Sequence, residues 1–126
     1  MGATDFYVLS AEKTANLAFS GAHKQALEYY GNRGYTGSLA EKHSFISVTL
    51  PARVKLDDFI GWVSGYSDAP AKHEALVARA TKIWGDKWGP ALCIELVGKE
   101  LVDAKARMGL KGTRKKVFCI CGIAAE

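Results

Sequence analysis

The chain has 126 residues, of which 48% are apolar and 24% charged. These values are typical of one globular domain whose core needs no disulfide or metal, and a domain of this size buries roughly 65–70% of its unfolded surface. No run approaches the roughly 20 apolar residues of a transmembrane helix, and residues 1–20 lack the pattern of a signal peptide. Composition therefore predicts a single domain over 1–126 that is soluble, intracellular and cytoplasmic, with no membrane partner.

The beginning of the chain predicts a strand followed by a helix. The apolar, aromatic-rich run at 5–9 is typical of a buried strand. From Ala11 to Gly31 the apolar residues recur at helical spacing, and Gly31 with Asn32 predicts the helix end. The dipeptide Ser20-Gly21 either interrupts this helix or caps the start of its second half.

The middle of the chain predicts a loop, a strand and a helical hairpin. The polar, glycine-rich stretch 31–44 has no element of its own, and apolar alternation at 45–50 predicts a strand that Pro51 ends. Helical spacing then returns over 56–63 and again over 70–84. These two helices predict an αα-hairpin that covers a sheet or packs on the first helix.

Two interpretations compete for residues 91–108. In the first, 91–97 is a strand and 99–108 a short helix that Gly109 caps. In the second, Pro90 begins a helix, and the alternation over 102–108 forms a strand instead. We favour the first, because Lys, Ala, Asp and Met are poor strand formers. The run 117–123 is apolar on both faces and predicts an interior strand in either case.

These elements predict an α+β layered fold. About four strands form a mainly antiparallel or mixed sheet, which three or four helices cover on one face. The short elements and the helical hairpin argue against a doubly wound parallel sheet. No dinucleotide-binding glycine motif and no phosphate-binding P-loop motif is present in the sequence.

The positive charge of the chain is concentrated in one segment. Six cations occur within 105–116, without an acid between Ala104 and Ala125: Lys105, Arg107, Lys111, Arg114, Lys115 and Lys116. Because the net charge is +4, the rest of the chain carries a net −2. Clustered cations neutralise phosphates, so the segment predicts a site for nucleic acid or an acidic protein. The alternative is a solvated turn, since no aromatic platform is interleaved with the cations.

A second candidate site combines the 31–43 loop with the WGDKWGP segment at 84–90. Long polar loops are often functional, and paired tryptophans line pockets or anchor partners. The possible pocket residues are Arg33, Tyr35, Thr36, Glu41, His43, Trp84 and Trp88. Glu41 and His43 are also candidates for an acid/base pair. The alternatives are a surface loop and tryptophans that close one end of the core.

The sequence predicts no metal and no cofactor. Cys93, Cys119 and Cys121 lie in apolar runs, which is typical of buried, reduced thiols, and the three histidines are scattered. Cys93 is the best placed of the three as a catalytic thiol, because it follows the tryptophan-rich segment.

Three functional hypotheses follow. The leading one is a small binding module that engages nucleic acid or another polyanion through 105–116. The first alternative is a small-molecule-binding protein or an enzyme with a cleft between 31–43 and 84–90. The second is a protein-interaction domain with exposed tryptophans. The sequence does not decide whether the protein is an enzyme, and it leaves the oligomeric state open.

Overall fold

Four strands form a single mixed sheet in the computed structural model, which describes residues 2–126. The strands are β1 (Ala3–Glu12), β2 (Phe45–Thr49), β3 (Ala91–Glu95) and β4 (Lys116–Ala125), in the spatial order β1-β4-β3-β2. β4 runs antiparallel to both of its neighbours, whereas β2 and β3 are parallel. The prediction of a mixed sheet of about four strands is confirmed.

Four α-helices accompany the sheet, which confirms the α+β class. They are α1 (Ala15–Tyr30), α2 (Leu56–Val63), α3 (Glu74–Trp84) and α4 (Gly98–Arg107). Short 3-10 helices lie at Leu39–Glu41 and Ala71–His73. Within the described residues 2–126, no helix is both long and apolar enough to cross a membrane.

The sheet is covered on both faces, so the prediction that helices cover one face is wrong. Along β4, Val117, Cys119 and Cys121 pack into a core with α2, α3 and α4, on what we call the hairpin face. Phe118 and Ile120 pack on the opposite side with α1, on the α1 face. An interior strand that is apolar on both sides requires cover on both sides. The apolar residues on both faces of β4 therefore already indicated that both faces of the sheet are covered.

Helix α1 is continuous, and Ser20-Gly21 neither interrupts it nor caps a second half. The helix begins at Ala15 rather than Ala11, because β1 extends as far as Glu12 by pairing with Lys116. The Thr14 hydroxyl accepts a hydrogen bond from the amide of Leu17 at 3.2 Å and so caps the first turn. Gly31 follows the helix with φ +84°, as the glycine at this position predicted.

The favoured interpretation of residues 91–108 is confirmed, since β3 precedes the short helix α4. The αα-hairpin of α2 and α3 is confirmed as well, and the Thr81 hydroxyl ties the two helices by donating to the carbonyl of Val63 at 3.0 Å. The chain then leaves β3 and returns through α4 to β4. The amide of Leu96 donates to the carbonyl of Val117 at 3.0 Å, which places the start of β4 beside the end of β3.

The two ends of the sheet differ in which strand ends and loops meet there. The parallel strands β2 and β3 end together, and β4 begins beside them; we call this end the carboxyl edge. The loops 50–55 and 96–97 leave the sheet there. At the opposite end, the amino edge, lie the starts of β2 and β3 and the end of β4.

Candidate functional site

The main cavity of interest lies at the carboxyl edge and has a volume of about 470 Å³. It is lined by Arg53, Val54, Lys55, Val97, Lys99, Glu100 and Asp103. The first three residues lie between β2 and α2, and the others follow β3 and form the first turns of α4. In open sheets with parallel strands, ligands bind outside the carboxyl ends of those strands. The volume is in the ordinary range for small-molecule sites.

Arg53 has an unusual backbone conformation within this cavity. Its φ is +65°, in the left-handed region that favours glycine. A non-glycine residue there costs roughly 1–2 kcal/mol. Such strain is concentrated at functional sites in proteins. The conformation brings the Arg53 side chain to the cavity wall, where a glycine would fold at lower cost but offer no guanidinium.

The cavity has an excess of uncompensated positive charge. In the described part of the chain, no carboxylate lies within 4.0 Å of the cationic group of Arg53, Lys55 or Lys99. The Glu100 carboxylate accepts a hydrogen bond from the Leu56 amide and so caps the start of α2. Asp103 is the other acid in the cavity lining, and its carboxylate does not cap a helix in this way within residues 2–126. The amino terminus of α4 adds a positive dipole end to the three cations.

Within the described residues, two of the six cations in the basic segment 105–116 are bonded to other residues of the chain, and four are not. Lys105 donates to the carbonyl of Thr113 at 2.5 Å, and Lys116 lies 3.8 Å from the Glu95 carboxylate. The other four, Arg107, Lys111, Arg114 and Lys115, have no hydrogen bond or ion pair with any residue in the described range 2–126. Arg107, Lys111 and Arg114 are exposed. The segment spans the end of α4, a turn and the start of β4, so its cations do not lie on one regular element.

The 31–44 loop and the 84–90 segment lie in contact at the amino edge. Lys42 joins them: its side chain is 1% exposed, and Nζ donates to the carbonyls of Asp86 at 2.8 Å and Gly89 at 3.1 Å. Burial lowers the pKa of Lys42, and the nearby Asp86 charge partly offsets this effect. A buried ammonium without a bonded carboxylate is rare, and here two backbone carbonyls compensate it.

An exposed aromatic pair marks the same contact. The rings of Tyr35 and Trp88 meet edge to face with centroids 6.3 Å apart, and they are 52% and 66% exposed. Tyr35 also has a left-handed backbone, with φ +58°. The Lys87 ammonium lies 5.3 Å from the Trp88 ring centroid, a cation–π contact. Trp84 does not join this pair, because it packs at the margin of the hairpin-face core.

The Glu41 carboxylate is engaged by its own loop. It accepts hydrogen bonds from the Tyr35 amide at 2.9 Å, the Thr36 amide at 3.2 Å and the Thr36 hydroxyl at 2.7 Å. Burial acts to raise the pKa of Glu41, but the bond from the Thr36 hydroxyl and those from the two amides hold it below its ordinary value. A general base needs a pKa near the working pH, so these bonds favour a structural role for Glu41.

The remaining candidates of this loop lie apart from the tryptophan segment. His43 is exposed and lines a cavity of about 150 Å³ with Leu27, Asn32, Gly34, Ala40 and Glu41. The His43 ring lies 6.3 Å from that of His23, whose Nε2 is buried without a hydrogen-bond partner in the described part of the chain. Arg33 is exposed at the loop surface. The structure therefore brings Tyr35 and Trp88 together, but not Arg33 or Trp84 with them.

The three cysteines are free and buried. Burial raises the pKa of Cys93 to about 11, and the pKa of Cys119 is raised by its hydrogen bond with Cys121 and by burial. Thiolates are the nucleophilic form, so these environments disfavour a catalytic thiol. Among residues 2–126, no three His, Cys, Asp or Glu side chains are grouped to hold a metal ion.

Comparisons with protein-family models, with curated proteins and with solved structures found no match for this chain.

The sequence prediction missed the residues of the carboxyl-edge cavity. Arg53, Lys55 and Lys99 are isolated cations in the sequence, and only the parallel pairing of β2 with β3 brings their loops together. The one available indication was that each follows a predicted strand. Lys42 was missed as well, because nothing next to it in the sequence indicates burial.

Proposed function

We propose that this protein binds a small anionic ligand, such as a phosphate-bearing metabolite, in the cavity at the carboxyl edge. The observation that carries the proposal is the cavity of about 470 Å³ with three cations around it, none within 4.0 Å of a carboxylate in the described chain. The positive charges of Arg53, Lys55 and Lys99 together attract an anion into this cavity. The first turn of α4 supplies unpaired amides and a positive dipole end.

The role of each residue follows from its chemistry. The Arg53 guanidinium offers planar, two-pronged hydrogen bonds that match a phosphate or carboxylate. Lys55 and Lys99 act as point charges that line the cavity from two different elements, Lys55 from the loop before α2 and Lys99 from the first turn of α4. Val54 and Val97 give the lining its apolar part. Asp103 suits a hydroxyl or amino group on the same ligand, because its carboxylate accepts hydrogen bonds.

The test uses inorganic phosphate as the probe. Titration of the wild-type protein with phosphate, against chloride at equal ionic strength, is followed by amide NMR. We expect the amides of 53–55 and 98–100 to shift together with one dissociation constant. Arg53→Gly should weaken binding at least about tenfold, as expected for losing one charge-assisted hydrogen bond.

The same variant should change stability in the opposite direction. Glycine adopts the left-handed conformation without the steric penalty, so Arg53→Gly should raise the free energy of unfolding by about 0.5–1 kcal/mol after the entropic cost of glycine. Urea denaturation measures this change. Lys24→Gln, on the exposed surface of α1, is the control for lost charge. Unshifted amides in the wild type, or equal binding by Arg53→Gly, would contradict the proposal.

A second candidate function is polyanion binding by the basic segment. Its support is the exposure of Arg107, Lys111 and Arg114 without a hydrogen bond or ion pair in residues 2–126. Lys105 and Lys116 are left out of the test, because they hold Thr113 and Glu95.

Changing Arg107, Lys111 and Arg114 together to glutamine should reduce affinity for a labelled single-stranded DNA. The salt slope of log affinity should fall by about 0.7 for each lost phosphate contact. Fluorescence anisotropy at several salt concentrations measures it. The matched control changes Lys13, Lys24 and Lys72 to glutamine, which removes the same charge from exposed positions elsewhere. Equal loss in both triple variants would indicate an unspecific charge effect and contradict a site at the segment.

A further inference from the structure

Strand β1 lies at the edge of the sheet and is hydrogen-bonded on one side, to β4. The carbonyl of Gly2 accepts from the amide of Glu126 at 3.3 Å, so the backbone groups of residue 2 point toward β4. In an antiparallel pair this direction alternates along the strand. The even residues of β1 therefore direct N–H and C=O toward β4. The odd residues direct theirs to the open side: Ala3, Asp5, Tyr7, Leu9 and Ala11.

The open side of β1 has few of the features that protect edge strands, although Asp5 and Glu12 are charged. Proteins shield such edges with prolines, lysines, bulges or very short strands. β1 is ten residues long and contains no proline and no lysine. Its register with β4 is one-to-one from Ala3 to Glu12, so it carries no bulge. Within the described chain, no residue hydrogen-bonds to the outward backbone groups of β1.

We propose that β1 pairs antiparallel with β1 of a second copy of this chain, which joins two sheets into one. Two-fold symmetry and the outward direction of the odd residues restrict the register, because odd residues must face odd residues. Two registers keep nearly full overlap. One places Tyr7 opposite itself on the two-fold axis, and the other places Val8 there.

The register with Tyr7 on the axis gives the better side-chain pairs. On the α1 face it sets Phe6 opposite Val8 twice, an aromatic–β-branched pair that stabilises sheets. On the hairpin face Tyr7, which is 49% exposed in one copy, meets its symmetry mate. Asp5 then lies opposite Leu9, so no like charges oppose each other. In the Val8-centred register Phe6 lies opposite Ser10, and both aromatic–β-branched pairs are lost.

The surface beside the strand fits the same partner. A cavity of about 380 Å³ flanks β1 on the α1 face and is lined by Val8, Ala22, Gln25, Ala26, Tyr29 and Tyr30. Tyr29 and Tyr30 are 82% and 52% exposed, and their rings contact each other with centroids 4.8 Å apart. A two-fold interface repeats this patch on both copies. The α1 helix of the second copy, with its own apolar flank, then lies across the axis on the same face. The tyrosines are covered in that arrangement.

The experiment measures the oligomeric state and uses charge at the axis. Sedimentation equilibrium of the wild-type protein over a range of concentrations should show a monomer–dimer equilibrium. Tyr7→Lys and Tyr7→Glu each place like charges across the axis, so each should weaken dimerisation at least about tenfold. An equimolar mixture of the two variants should restore the dimer as a heterodimer. Tyr66→Lys, at a residue that is 93% exposed after α2, should dimerise like the wild type.

Hydrogen exchange on the wild-type protein tests the pairing of the two β1 strands without any variant. The amides of Asp5, Tyr7 and Leu9 should become protected as concentration rises, whereas those of Phe6 and Val8 should be protected at every concentration. A wild type that stays monomeric at millimolar concentration overturns the proposal, and so does a Tyr7→Lys protein that still dimerises. A variant mixture that remains monomeric overturns the register with Tyr7 on the axis.

Discussion

Replacing Lys42 by methionine is expected to lower the free energy of unfolding by about 2–4 kcal/mol. Methionine preserves the apolar length of the side chain but removes the donor that holds the carbonyls of Asp86 and Gly89. Those two acceptors are then left without their charged partner, and relief of the cost of burying the ammonium offsets part of the loss. Urea denaturation followed by circular dichroism measures the change.

The control for Lys42→Met is Lys24→Met on the exposed surface of α1, which should change stability by less than about 0.5 kcal/mol. The indole NMR signal of Trp88, compared between the wild type and the variant, adds a local measure, because the Lys42 hydrogen bonds hold the 84–90 segment against the 31–44 loop. A loss below about 1 kcal/mol for Lys42→Met would mean that water replaces the ammonium at the two carbonyls.

Phe118→Ala should lower the free energy of unfolding by about 3–5 kcal/mol. The Phe118 side chain is 1% exposed and packs on the α1 face of the central strand β4. Alanine leaves a cavity between the sheet and α1 that the neighbouring strands hold open. Thermal and urea denaturation measure the loss.

Trp88→Ala is the matched aromatic control for Phe118→Ala. It removes a larger ring from a position that is 66% exposed, so the loss should stay below about 1 kcal/mol. If Phe118→Ala cost no more than Trp88→Ala, α1 would not cover this face of the sheet as described. That result would restore the one-face arrangement predicted from the sequence.

Local patterns predicted most of the elements in this fold. The run 117–123 is apolar on both faces and proved to be the interior strand β4. Poor strand formers at 102–108 correctly favoured a helix there, which is α4. These predictions succeeded because the information lies within a few residues of the position that it determines.

The site could not be predicted in the same way, because it depends on pairing between distant segments. The acceptors of Lys42 lie 44 and 47 residues further along the chain. Arg53 and Lys99 meet at one cavity only because β2 and β3 are parallel neighbours. The left-handed backbone of Arg53 is not encoded by a glycine or asparagine, so local sequence gives no indication of it. Long-range geometry decided the first two of these features, whereas the Arg53 backbone belongs to a local turn that the Val54 amide closes on the Pro51 carbonyl at 3.2 Å.

The position of β4 also determines when the sheet can form during synthesis. β4 follows the other three strands in the chain, yet it lies between β1 and β3 and is the sole link from β1 to the rest of the sheet. A nascent chain that has not yet released residues 116–125 therefore cannot pair β1 with anything in the native sheet. Closing this long loop costs entropy before any contact compensates it. The ribosome thus exposes β1 as an unpaired strand for most of translation, the period in which chaperones bind such segments, whereas β3 can pair with β2 as soon as it emerges.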